Sequence, residues 1–147
     1  MRVFLDTNVL ASAAATRGLC ADVLREVLTS HELLISAQVL SELERVLRTK
    51  FGVAQDLIDD FISLMRQDTV LAQPGQFPTV KIQDQDDLPI LSAAISAGAA
   101  VFVTGDKELL DIGHIGNLAI LSPRQFWDKL TAQPQRGAGR GKSRRSR

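Results

Sequence analysis

Three aspartates stand where a chain can turn a carboxylate to chemical use. Asp6 directly follows the apolar run "RVFL", Asp106 directly follows "VFVTG", and Asp87 opens the helical stretch that begins in "DQDDLPIL". If the two runs are strands, Asp6 and Asp106 lie at strand carboxyl ends, the side of an open parallel sheet where ligands gather. Each acid has a plain structural explanation by itself, since an aspartate at a helix start caps orphan amides and is favoured by the helix dipole. Together they pose an energetic problem. Two carboxylates about 4 Å apart repel by about 4 kcal/mol at an effective dielectric near 20, against a total stability of roughly 5 to 15 kcal/mol for a domain. Lys81 and Lys107 are the nearby cations in the sequence, and no arginine adjoins Asp6, Asp84, Asp86 or Asp87. An all-oxygen donor set suits a hard cation, Mg²⁺ or Mn²⁺. Such a centre acidifies water, aims it at phosphorus and stabilises the leaving oxygen, so phosphodiester hydrolysis is the matching reaction class. Arg17, Arg45, Arg48, Lys50, Lys107 and the basic C-terminal segment are available to grip flanking phosphates.

The elements that must position these acids are legible in the apolar spacing. "RVFL" (2–5), "LLIS" (33–36), "TVLA" (69–72), "AVFVT" (100–104) and "LAIL" (118–121) read as strands. Helical periods run over about 19–28, 37–50, 54–66, 87–97, 107–111 and 123–130. Strands alternating with helices predict an α/β fold with a mostly parallel sheet and helices on both faces. On the helix from Ala37, Glu42 and Glu44 flank the apolar face of Val39, Leu40, Leu43, Val46 and Leu47, each about 100° from its middle. Glu42 is nearer the helix start and therefore nearer the sheet's carboxyl edge. At the helix beginning near 87, Asp86 is expected to cap and Asp87 to face the metal; Pro89 fits the first turn, where its missing N–H is no loss.

At 147 residues and 45% apolar content the chain has material for a single core. Its zero net charge conceals an asymmetry: residues 1–131 hold 11 basic against 17 acidic residues, and the other six basic residues lie in 132–147. This implies a nuclease-sized domain over 1–131 and a Gly/Arg/Ser-rich tail expected to be disordered. "RGAGRGKS" in the tail is no phosphate loop, because Arg136 stands where glycine is needed and no strand precedes it. No apolar stretch is long enough to span a membrane and no leader pattern is evident, so the expected location is cytoplasmic. Cys20 is alone and reads as a packing residue, His31 and His114 as surface residues, and Phe126 and Trp127 as core or dimer contacts. No Ser/His/Asp or Cys/His set has a workable spacing.

Four segments in order, "FLDTNVL" (4–10), "SAQVLSELERVL" (36–47), "DQDDLPILSAAISAGAAVFVTGDKELL" (84–110) and "ILSPRQF" (120–126), resemble the PIN domain family, in particular its short stand-alone members that serve as toxins of toxin–antitoxin systems. The resemblance spans about residues 2–130. It implies a PIN-like three-layer α/β/α sandwich and a ribonuclease dependent on Mg²⁺ or Mn²⁺, inhibited by a small antitoxin protein and usually homodimeric. Residue by residue it assigns the metal to Asp6, Glu42, Asp87 and Asp106, with Asn8 and Thr104 orienting the acids or a metal-bound water and Asp84 in support. Two competing readings accompany it: a PIN nuclease of RNA processing without a toxin role, and a non-catalytic α/β binding module whose acids only cap helices. The metal reading requires that the acids meet in one small pocket.

Overall fold

The computed structural model describes residues 1–132; the expected tail lies outside the described residues apart from Ala132, which ends the last helix. In chain order the elements are β1 (Arg2–Leu5), α1 (Thr7–Ala15), α2 (Leu19–Ser30), β2 (Glu32–Ser36), α3 (Ala37–Thr49), α4 (Gln55–Asp68), β3 (Val70–Ala72), α5 (Asp87–Ser96), β4 (Val101–Val103), α6 (Lys107–Ile112), β5 (His114–Ile115), β6 (Leu118–Leu121) and α7 (Pro123–Ala132). The strands form one sheet in the order β3-β2-β1-β4-β6-β5. All neighbours are parallel except β5 and β6, which are antiparallel.

This order explains the layers. From β1 the chain steps to β2 and then β3 in one direction, so right-handed crossovers place α1 to α4 on one face. The return from β3 past β1 to β4, and then on to β6, runs the opposite way and places α5 and α6 on the other. Helix α7 packs against α2 and joins the first layer. The central strands are apolar on both sides, with Val3, Phe4, Leu5, Leu33, Leu34, Ile35, Val101, Phe102 and Val103 all buried, as a sheet covered on both faces requires. Across the β1–β4 pair, Phe4 and Phe102 are register partners whose rings stack with centroids 5.3 Å apart. That contact fixes two strands against each other immediately below Asp6 and Thr104.

Two elements were not anticipated. Helix α1 is rich in alanine and packs against both α2 and α3, so it lacks the apolar stripe by which a surface helix is read. Strand β5 is only two residues long and places His114 in the sheet's edge rather than in a connection. Gly98, at φ 75°, occupies a backbone conformation that L side chains rarely adopt and turns the chain from α5 toward β4. Cys20 and Trp127 pack at the margin of the core, Phe126 is fully buried within it, and no described helix is long and apolar enough to cross a membrane.

Replacing Phe102 by alanine removes half of the stacked pair and opens a cavity between the central strands. It should cost about 3 to 5 kcal/mol in urea unfolding at constant m-value. A loss below about 1 kcal/mol would mean that this pair does not hold the two strands together.

Candidate metal centre

The chain reverses its stepping direction between β1 and β4, so a crevice opens at the carboxyl ends of these strands, and the acids collect there. Asp6 follows β1 and its N–H donates to the Val103 carbonyl at 2.9 Å, which extends the β1–β4 ladder to the acid itself. Its side chain caps α1, with Oδ1 accepting the Thr7 N–H at 2.8 Å. Its Oδ2 accepts the Thr104 hydroxyl at 2.8 Å, and Thr104, fully buried after β4, accepts the Asp106 N–H at 3.0 Å. Asp106 caps α6 through Oδ1 and the Glu108 N–H at 2.9 Å. Capping and a part in the site are therefore compatible, because a carboxylate has about four acceptor positions and a cap uses one.

The second wall comes from α3. Ser36 caps this helix, its Oγ accepting the Val39 N–H at 3.2 Å, and this places Glu42 on the helix face nearest Asp6. Glu42 Oε1 accepts the Thr7 hydroxyl at 3.0 Å, and Oε2 accepts the Gln38 amide at 3.0 Å. Glu44, the alternative on the other flank, is taken up by Arg48 at 3.7 Å. The third wall is the long connection from β3 to α5. It is tied to α5 by Ser92, which accepts the Gly75 N–H and donates to the Gln76 carbonyl, and to α6 by the Glu108 carboxylate, which accepts the Gln83 N–H. Gln38 donates to its Asp86 carbonyl at 2.9 Å.

Asp86 does not act as expected there. It holds the position before α5 but has helical φ and ψ and makes no side-chain capping bond; Asp84 instead receives the Asp86 N–H at 3.0 Å, closing a turn ahead of the helix. Asp87, the first residue of α5, makes no side-chain hydrogen bond among the described residues. Asn8 is exposed and makes no side-chain bond to an acid among the described residues, whereas Thr7 beside it is buried and donates to Glu42. Thr7 was within reach of the sequence as the middle of "DTN", had α1 been recognised. Gln38 carried no such signal.

The acids also act on one another's titration. Burial pushes the Asp87 carboxyl up to about 7, and the negative charges of Asp6, Asp84, Asp106 and Glu42 push it the same way. Burial likewise raises Asp6; the Thr104 and Thr7 hydrogen bonds oppose this, and Glu42 and Asp106 add to it. No ion pair among the described residues includes any of these five acids. Lys107 instead reaches Asp111 at 3.2 Å on the surface.

The expectation that the acids meet in one tight pocket is not met as the side chains stand. Among the described residues no three His, Cys, Asp or Glu side chains draw close enough to cage an ion. The reason lies in the hydrogen bonds: both oxygens of Asp6 and both of Glu42 are turned toward protein donors. In kind, however, the donors suit Mg²⁺ or Mn²⁺: they are all carboxylate oxygens without a cationic partner, each Asp6 and Glu42 oxygen keeps a second lone pair, and Asp87 is unengaged.

The sequence matches the PIN domain family over residues 2–108. This chain belongs to the PIN domain family. Two solved structures share its fold: VapBC2 from Rickettsia felis bound to a DNA fragment from its promoter, and VapBC-1 from nontypeable Haemophilus influenzae. The first is 20% identical with a TM-score of 0.58, covering 83% of this chain and 98% of that one. The second is 19% identical with a TM-score of 0.59, covering 84% and 99%. Comparison with curated proteins gives no significant match. The PIN assignment rests on the sequence match, and the two structures extend the likeness of fold beyond its end at residue 108.

The raised Asp87 carboxyl fixes the sign of a pH effect. The folded protein holds this proton up to about pH 7 while the unfolded chain releases it near 3.8, so between these values the folded state binds more protons and loses stability as pH rises. Asp87→Asn removes that loss. In metal-free protein the variant should gain on wild type by about 1 kcal/mol between pH 5 and pH 8, a figure reduced for solvent screening at a half-buried group. Thermal melts at both pH values measure this, and a gap that is flat or shrinks with pH would refute it.

Proposed function

We propose that this PIN domain is a metal-dependent endoribonuclease that hydrolyses RNA phosphodiester bonds and acts as the toxin of a toxin–antitoxin pair. Asp6, Glu42, Asp87 and Asp106 hold Mg²⁺ or Mn²⁺, and Thr104, Asn8 and Asp84 support them. What favours this above all is that four distant segments, each bearing an acid, run to one sheet edge and are linked there by hydrogen bonds, with no salt bridge to these acids among the described residues. A divalent cation relieves such crowding, which hydrogen-bond donors steady and protonation of Asp87 offsets in its absence.

A bound divalent ion supplies Lewis-acid charge to the scissile phosphate and makes water a competent nucleophile near neutral pH. The chain's own residues do the rest. Thr104 holds Asp6 through one oxygen, Thr7 and Gln38 hold Glu42 through both, and Asp106 is fixed by the first turn of α6. Asp87 must release its proton before it can act as a ligand, so metal affinity falls as pH drops below about 7. Fold likeness to chains of two VapBC assemblies, with the resemblance to stand-alone toxins, supports a small antitoxin and a second copy of this chain as partners.

Purified protein incubated with a single-stranded RNA should cleave it with Mn²⁺ and not with EDTA. Asp6→Asn should lower kcat/KM by at least about 100-fold, the upper end of what losing an outer-shell partner costs. Cleavage indifferent to EDTA and to the substitution would discard the metal mechanism. No cleavage under any of these conditions would favour the binding module, whose acids serve as caps.

A further inference from the structure

Gln38 does more than hold Glu42: the same side chain reaches from α3 to the β3–α5 connection. Its Nε2 donates to Glu42 Oε2 at 3.0 Å and to the Asp86 carbonyl at 2.9 Å. A carboxylate and a carbonyl are both acceptors, so the orientation of the carboxamide is forced: the NH₂ end must face them. Glu42 lies one helical turn further along α3 from Gln38, whereas Asp86 is 48 residues away in the connection to α5.

The hydrogen bonds around it form an unbroken series. The Asp106 N–H donates to Thr104, Thr104 donates to Asp6, and the Thr7 that caps against Asp6 donates to Glu42. Gln38 then donates to Glu42 and on to Asp86. Remove Gln38 and the segment that carries Asp84 and Asp87 loses its one side-chain hydrogen bond to α3 among the described residues, while Glu108 still ties it to the start of α6 beside Asp106. The segment's other ties run through Ser92 and Glu108 to α5 and α6, on the opposite face of the sheet.

We infer that Gln38 is a positioning residue that clasps the Asp84–Asp87 turn to Glu42 and so sets the distance between the α3 and α5 sides of the metal centre. The role rests on the metal-centre reading proposed above. Such outer partners orient ligands without touching the ion, and their loss typically weakens metal binding by about 10- to 100-fold.

Gln38→Met tests this. Methionine matches glutamine in length and helix propensity but donates no hydrogen bond. Two measurements are made on the full chain. Hydrogen exchange without metal should show the amides of Asp86, Asp87 and Leu88, which bond within the turn, exchanging at least about 5-fold faster, with β1 and the rest of α3 unchanged. Calorimetric titration with Mn²⁺ should show about 10-fold weaker binding. The melting temperature should stay within about 2 °C of wild type, which separates a positioning role from a stabilising one. Unchanged exchange at those amides would overturn the clasp. Faster exchange with wild-type Mn²⁺ affinity would overturn its part in metal binding. If wild type itself binds no Mn²⁺, the metal-centre reading fails and the positioning role with it, while the exchange arm still decides whether the clasp exists.

Discussion

Mutual repulsion among carboxylates is the constraint around which this domain is arranged. The sheet delivers Asp6 and Asp106 to adjacent strand ends, α3 brings Glu42 beside them, and the start of α5 adds Asp87. The strain is visible in Asp87, whose carboxyl burial and four negative neighbours hold near neutral pH. A core built for stability alone would have paired these acids with arginine or dispersed them. This one surrounds them with hydroxyl, amide and backbone donors, which steady a carboxylate without cancelling its charge.

The same donors explain how the arrangement survives. Asp6 is raised by burial, but it accepts a backbone N–H and a buried threonine hydroxyl, and both favour its charged form. Glu42 is held by Thr7 and Gln38. Helix capping serves here as a positioning device: Asp6 and Asp106 are fixed by the first turns of α1 and α6 and keep acceptor capacity for something else. The contrast drawn from sequence between an acid that caps and an acid that does chemistry was therefore too sharp. It failed in the other direction at Asp86, which caps nothing with its side chain.

Rigidity beneath the site comes from the Phe4–Phe102 stack and the apolar β1–β4 register. The β3–α5 connection is held differently, by discrete ties rather than by strand pairing. A centre with two fixed walls and one clasped wall can adjust its spacing at modest cost, in keeping with carboxylates whose lone pairs now face protein donors.

By itself the sequence determined the alternation of strands and helices, the parallel sheet, and the placement of Asp6, Asp106 and Asp87, because strand runs and helix starts are local patterns carried by neighbouring residues. Helix α1 escaped it, since a helix buried between two others shows no amphipathic contrast. Only the tertiary structure gives Glu42 and Glu44 different surroundings: both flank the same apolar face, but one meets Thr7 and Gln38 while the other meets Arg48. It also decided that Thr7 donates to Glu42, and that Gln38 joins two segments 48 residues apart. Such bonds depend on how separate elements are set against one another in space, and no periodicity along the chain records it.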